Sequence, residues 1–593
     1  MDVAAEYRAR LEQRRAIQNT QERLHRRIGN YRLGVGLAAA VLSYFIFGRV
    51  WLSPFWLVVP FVVFMWLMWW HSRVLERLER ANRAVKFYEQ GMARIEDRWI
   101  GKGEGGEHYR DASHVYADDL DILGRGSLFE LLCTARTLPG EEVLASWLLS
   151  PSSAEAVLER QQAVADLRER LDLREELAVL GETLRSGVKL EPLSKWGEEP
   201  PVRFPRGSRN AAKAIVAIFV ITLGLYMAGV TKRTPFLAAI LVELVFSGWL
   251  HQRVQRVHDA VQKPAQELSL VADVLRCIEQ QKFAAPLLRR MQEELQIDHQ
   301  IASDRIRRLG KLVDLWEYQH NQFLAPILAA FLWGTQMAMA VEEWRTRSGP
   351  GIRRWLLAVG EFEALCSLAS YSFEHPADVF PTIAAGPAEF DAEALGHPLM
   401  SETGCVRNDV RLGGDLQLLI VSGSNMSGKS TLLRSVGLST VMAWAGAPVR
   451  ARRLKISPVT VGASIRVVDS LQDGRSRFYA EITRLRHIKD LTQGDRPLLF
   501  LIDEVLSGTN SHDRRIGAAA IVRSLVDRGA IGMITTHDLA LVGIADMLEE
   551  RAANVHFTDT IVDGQLQFNY HLMPGVVEHS NALELMRSVG LEV

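Results

Sequence analysis

Charged, helix-patterned sequence fills most of the first two thirds of the chain, and two pairs of apolar stretches interrupt it. Residues 33–48 and 51–70 are almost uncharged and are joined through Arg49. Residues 214–230 and 236–250 form the second pair, on either side of Thr231, Lys232, Arg233, Thr234 and Pro235. A helix that crosses a bilayer needs ~20 apolar residues, with ~17 tolerated. The 51–70 stretch meets that length. The others lie at its lower edge, and 236–250 carries Glu243. The pairing predicts two helical hairpins in a membrane; the alternative is buried or interface-lying helices. The flanks favour insertion. Arg26, Arg27 and Arg32 precede the first pair, and Arg73, Arg77 and Arg80 follow it. Arg203, Arg206, Arg209 and Lys213 precede the second pair, and Arg253 and Arg256 follow it. Basic residues collect on the cytoplasmic side of spanning helices, and tryptophans such as Trp51, Trp56, Trp66, Trp69 and Trp70 collect at the interface. Lys232 and Arg233, in the outer link, run against that rule. Two in–out–in hairpins place both termini in the cytoplasm and make the chain a multi-pass component of the cell membrane. Residues 1–32 and 72–100 read as charged helices, 101–106 as a glycine-rich linker and 255–345 as amphipathic helices.

Beyond residue 390 the pattern changes. Apolar runs of strand length, 416–421, 497–502 and 531–535, are separated by helical sequence, as in a parallel α/β sheet. After the first run stand Gly423, Ser424, Asn425, Met426, Ser427, Gly428, Lys429, Ser430 and Thr431, which contain Gly-x-x-x-x-Gly-Lys-Ser. Strand, glycine loop and helix in that order form a phosphate-binding loop. Glycines let the backbone approach phosphates, and amide N–H groups at a helix N-terminus favour their negative charge. Lys429 then reaches the β- and γ-phosphates of ATP, and the Ser430 hydroxyl serves Mg²⁺. The second run ends in Asp503 and Glu504. Asp503 suits Mg²⁺ coordination, and Glu504 suits orienting or deprotonating the attacking water. The third run leads to His537, placed to hydrogen-bond the γ-phosphate. Loop, acidic pair and histidine follow one another in the order of an ABC-like ATPase.

Composition changes this picture little. A chain of 593 residues is expected to hold several domains. The formal net charge of −1 gives no support for a nucleic-acid footprint, although basic clusters stand at 23–32, 203–213 and 305–311. Cys133, Cys277, Cys366 and Cys405 are scattered, without metal-ligand spacing, and read as reduced thiols.

The motifs together are specific. Ser422 to Thr431, with the Asn425-Met426 pair, resembles the phosphate loop of MutS proteins. Residues 469–482, containing Gly474, Arg475, Ser476, Phe478 and Glu481, resemble their Gly-Arg-Ser-Thr-Phe…Glu segment. Asp503, Glu504, Gly508 and Thr509 resemble their Asp-Glu-x-x-x-Gly-Thr segment, and Thr535, Thr536 and His537 complete the set. More loosely, 123–140, 147–151 and 158–164 resemble the start of the MutS helical core, and 362–376 its end. The chain is thereby identified as a member of the MutS family, in a membrane-anchored form.

The resemblance implies an α/β ABC-like P-loop ATPase domain over 391–593. It implies an all-α core and lever over 111–390, interrupted by the second hairpin (about 214–250). N-terminal helices with the first hairpin (about 33–70) make up 1–110. It further implies a homodimer in which Ser476 reaches the γ-phosphate held by the opposite subunit. Residues 406–409 would lie beside the nucleotide base. DNA is the implied partner and mismatch repair the implied setting. Arg477 stands where the family has Thr, as a second cation in trans or as a surface charge. The residues before 110 leave no room for the family's mismatch-reading domain, and the second hairpin sits about where the family inserts a DNA clamp. Two function classes stay open: a membrane-tethered MutS-type ATPase acting on DNA, and an ATP-driven conformational switch acting on a non-DNA partner. A transporter comes third, since four apolar spans offer little polar pathway.

Overall fold

The computed structural model describes residues 2–48, 53–182, 184, 190–297, 300–320, 324–424, 426–466, 477–506, 509–562 and 565–577. The chain divides into two compact units, one of 1–134, 144–179 and 365–593, the other of 135–143 and 180–364.

In the first unit, helices α1 (Val3–Ser43) and α2 (Val58–Ile95) form an antiparallel pair. The charged and apolar segments read separately from sequence are single helices here. No proline interrupts 3–43, and Pro60 falls in the first turn of α2, where its missing N–H costs nothing. Asp2 caps α1 by accepting from the Ala5 N–H at 3.1 Å. The expected start of the second stretch, Trp51, lies outside the described residues. The charged base of the pair is tied down by polar groups. Arg94 places its guanidinium on both carboxylate oxygens of Glu374 at 2.6 Å, and the Tyr7 hydroxyl donates to the same carboxylate at 3.2 Å. Tyr88 donates to Glu175 at 2.6 Å, and Arg14 pairs with Glu175 at 2.7 Å. Tyr7, Leu11, Val85, Phe87, Tyr88, Met92 and Phe373 pack around this cluster.

In the second unit, α3 (Ser208–Met227) and α4 (Arg233–Glu279) make the other pair. The expected 236–250 stretch is the first part of a 47-residue helix that runs on to Glu279. Glu243, the only carboxylate of that stretch, is turned inward and is 6% exposed. The helix Ala302–Glu317 returns along α4, with Ser303 donating to Glu279 and Gln262 donating to Glu317 at 3.2 Å.

Among the described residues, five helical segments are long and apolar enough to cross a membrane. Their most apolar windows are 6%, 6%, 11% and 17% buried in the segments of α1 to α4, but 89% buried in Trp333–Glu374. The fifth, which is two helices (Trp333–Ser348 and Ile352–Glu374) joined at Gly349–Gly351, is therefore buried, while the other four present their apolar faces outward.

The α/β part of the first unit is built on a six-stranded sheet. Its strands are β1 (Leu418–Ser422), β2 (Thr460–Ser464), β3 (Leu498–Ile502), β4 (Ile531–Thr536), β5 (Ala552–Val562) and β6 (Gln565–Pro574), in the spatial order β6-β5-β1-β4-β3-β2. All neighbours are parallel except β5 and β6. Every residue of β1, β3 and β4 is buried, as expected of parallel strands covered on both faces. Leu418, Ile420, Phe500, Ile502 and Ile534 form a core with Val522 and Leu525 of the helix Ser511–Val526. A smaller sheet, with Glu389–Leu395 at its centre beside Asn408–Gly413 and Arg453–Ile456, adds a second wall.

Candidate nucleotide site

The register of the parallel strands aligns their C-terminal ends. Ser422 of β1 pairs with Thr536 of β4, and Ile534 of β4 pairs with Ile502 of β3. Ligands of open α/β sheets bind outside those ends. Helix α5 (Lys429–Ala445) starts there, directly after the glycine loop. Gly428 precedes it at φ +105°, a left-handed conformation that a side chain rarely adopts, and a Cβ there would come within 3.3 Å of Tyr570 Cδ1. Met426 also has positive φ, and its side chain is exposed. Lys429 Nζ donates to the carbonyls of Gly423 and Ser424 at 2.9 and 2.8 Å. Burial pulls the Lys429 pKa down, while Glu504 and Asp503 push it back up.

Asp503 is held from two sides. Ser430 Oγ donates to Oδ2 at 2.5 Å, and Thr535 Oγ1 donates to Oδ1. The same Thr535 oxygen accepts from the Glu504 N–H at 2.9 Å. One hydroxyl thus fixes both acidic residues. Glu504 sits at φ +50° and Leu506 at φ +53°, both left-handed and both non-glycine. Such strain persists only where the surroundings impose it. Here buried Glu481 does so, by accepting from the Leu506 N–H at 2.5 Å. His537 Nδ1 lies 3.4 Å from Glu504 Oε1.

Of the residues expected from sequence, Gly423, Ser424, Met426, Ser427, Gly428, Lys429, Ser430 and Thr431 form the loop and helix start. Asp503, Glu504 and His537 stand at the neighbouring strand ends. Asn425 and Ser476 lie outside the described residues. Arg477 opens the helix Arg477–Asp490. Reasoning from sequence gave no role to Thr535 or Glu481, although both stand inside the quoted motifs.

A cavity of about 410 Å³ extends from this centre toward the smaller sheet. Lys429, Ser430 and Glu504 line one end, and His397, Met400, Val406 and Asn408 the other, with Phe557 and Tyr570 beside them. Asn408 ties the two sheets together, donating to the Tyr570 carbonyl at 3.0 Å and accepting from the Leu572 N–H at 2.8 Å. His397 accepts from the Leu399 N–H at 3.2 Å through Nδ1. Burial, with Arg434 and Arg450 nearby, lowers its pKa to about 4, so its ring is neutral near pH 7.

The donor set fits a nucleoside triphosphate with Mg²⁺. The hydroxyls of Ser424 and Ser427 are buried and have no hydrogen-bond partner among the described residues. Buried hydroxyls of that kind call for an acceptor. Ser430 and Asp503 bring two hard oxygen ligands together, the pair that Mg²⁺ takes beside a phosphate.

Comparison with known proteins agrees with this geometry. Residues 419–592 match the family model described as MutS domain V. A DNA mismatch repair protein MutS 2 of Halobacterium salinarum is 33% identical over 242 residues, which are 40% of this chain and 27% of the relative. A DNA mismatch repair protein MutS of Myxococcus xanthus is 32% identical over 255 residues, 41% of this chain and 28% of the relative. An Endonuclease MutS2 of Thermus thermophilus is 35% identical over 197 residues, 33% of this chain and 25% of the relative. The chain spans about a quarter of the length of these curated relatives.

Proposed function

Because residues 419–592 make this chain a member of the MutS family, we propose that it is a membrane-anchored, dimeric ATPase whose nucleotide cycle drives work on DNA. The observation that supports the reading is the convergence of Lys429, Ser430, Asp503, Glu504 and His537 at the ends of three adjacent parallel strands. Ser424, Ser427 and Lys429 bind the phosphates, which takes the lysine from its carbonyl partners to the charge it would neutralise. Glu504 accepts a proton from the attacking water, and His537 orients Glu504 and the terminal phosphate. Mg²⁺, held by Ser430 and Asp503, would neutralise charge on the phosphates. His397, Val406, Asn408, Phe557 and Tyr570 wrap the base and sugar. Ser476 completes the site from the second subunit. The four outward apolar helices anchor the protein in the cell membrane, with the ATPase in the cytoplasm.

Purified full-length protein in detergent is expected to hydrolyse ATP. Glu504→Gln should lower turnover at least ~100-fold, the order a general base contributes, while ATP binding persists. Lys429→Ala should abolish binding instead. Near-normal turnover by the Glu504→Gln chain would remove Glu504 from this role. The DNA arm is read separately: affinity for duplex or branched DNA should fall steeply with salt if phosphates are gripped.

A second reading, a conformational switch on a non-DNA partner, is favoured by α4. That helix runs without a break from the apolar stretch into the helical unit, a direct mechanical link to the membrane. DNA affinity that is absent at every salt concentration would select it.

A further inference from the structure

In the second unit a separate cavity of about 310 Å³ opens where α4 leaves its apolar stretch. His251, Gln255 and His258 of α4 face Trp316, Gln319 and Thr335 across it. Among the described residues its lining holds no Asp, Glu, Lys or Arg. Trp316 is 1% exposed, and its indole N–H has no hydrogen-bond partner among the described residues. An indole nitrogen can only donate, so this buried group calls for an acceptor beyond the described residues, which a ligand in the cavity would supply. The ring is fixed edge-on against His258 at 5.1 Å. Gly334 keeps the floor open. A Cβ there would stand 2.7 Å from Gln319 Oε1 and 3.5 Å from Trp316 Nε1.

The rim has the composition of a membrane surface. Trp249, between the lining residues Ser247 and His251 on α4, is 58% exposed, and Arg253 lies over its ring at 5.9 Å. Arg253 and Arg256 alternate with the lining residues along the helix. On the other side the segment 324–341 contains no charged residue, and its Ile327 and Phe331 are exposed. Leu332 anchors that segment in a cluster with Ala212, Ile215, Val216 and Phe246 of α3 and α4. A donor-lined, uncharged cavity is thus bounded by exposed apolar side chains on one side and by arginines on the other.

We propose that this cavity binds the phosphodiester headgroup of a membrane phospholipid. Trp316, Gln255 and Gln319 donate to its oxygens, Arg253 and Arg256 attract its charge, and the acyl chains run along Ile327, Phe331 and the outer face of α4. The proposal rests on the reading of α3 and α4 as membrane helices.

The test is native mass spectrometry of the full chain in mild detergent, titrated with dioleoyl phosphatidylglycerol. Trp316→Phe keeps an aromatic ring, though a smaller one, and removes the donor. Gln255→Leu changes an exposed position and serves if the first variant fails to fold. The parent should retain lipid, and each variant should bind it about tenfold more weakly, as loss of a charge-assisted hydrogen bond predicts. Millimolar glycerol 3-phosphate should displace none of it. Equal lipid binding by parent and both variants overturns the proposal, as does displacement by the soluble ester, which would make this a site for free phosphate. Carbonate extraction of membranes, run in parallel, separates the two readings. A parent that resists extraction while its variants keep their lipid refutes the cavity assignment alone. A parent that washes off and retains no lipid refutes the membrane reading and the site with it.

Discussion

A single hydroxyl, that of Thr535, holds the carboxylate of Asp503 and the backbone of Glu504 at once. Thr535→Val keeps the shape and takes a hydrogen bond from each of two half-buried groups, Asp503 Oδ1 and the Glu504 N–H, a loss of about 1 kcal/mol for each bond. We expect kcat to fall roughly tenfold or more with ATP affinity little changed, measured by steady-state hydrolysis and nucleotide titration. His397 supplies a pH dependence. Its pKa is about 4 in the fold against the usual 6.5, so the unfolded chain binds the proton first as pH falls. The stability it contributes is complete above pH 6.5 and is lost progressively toward pH 4, at most about 3 kcal/mol. Urea midpoints taken across that window should drop in the parent and drop less in His397→Asn. Lys429, Ser430, Asp503, Glu504 and His537 were legible because each follows a short apolar run or a glycine loop. Thr535 was not, since its role depends on which strand lies beside β3. His397 comes from a segment far in sequence from Phe557 and Tyr570, and no local pattern joins them.

At the scale of elements, β1, β3 and β4 were legible as buried runs, with ends displaced by one or two residues, whereas β2, β5 and β6 were not read as strands. The helical hairpins were legible in their apolar parts but not in their extent, because charged residues on an exposed helix face do not stop a helix. Nothing in α1 or α4 breaks the backbone where hydropathy changes, and even Pro264 stands inside α4. The membrane reading predicts that the chain stays with membranes through high-salt and carbonate washes. Removing 33–70 should weaken that attachment without abolishing it, because α3 and α4 remain. Release of the intact protein by salt alone would show that these helices lie against another protein or on the surface. Asp119 illustrates a link between elements that sequence could not reveal. Buried, it accepts from the N–H groups of Ile465 and Arg466 at 2.7 Å and pairs with Arg484 at 2.5 Å. A residue near the start of the expected core thereby ties together described residues that lie before and after 467–476 in sequence.

For the whole molecule, the expected dimer gives a sharp test. Lys429→Ala and Ser476→Ala chains, each inactive alone, should regain partial hydrolysis when mixed, since a mixed pair holds one site with an intact loop and an intact opposing serine. Confinement to a bilayer raises the local concentration of subunits and should enhance the effect. A mixture that stays inactive although both parents fold and dimerise would end the trans role of Ser476. The buried base of the first hairpin has a consequence in time. Arg94 and its carboxylate partner, Glu374, are 280 residues apart. At 5–20 residues per second a ribosome needs roughly 15 to 55 s to bridge that interval. Throughout it the guanidinium has no counter-charge and stays in water, because an unpaired buried charge is too costly. On the membrane reading the first hairpin would therefore be free to insert before its base closes, since the base can close only once residue 374 has been made.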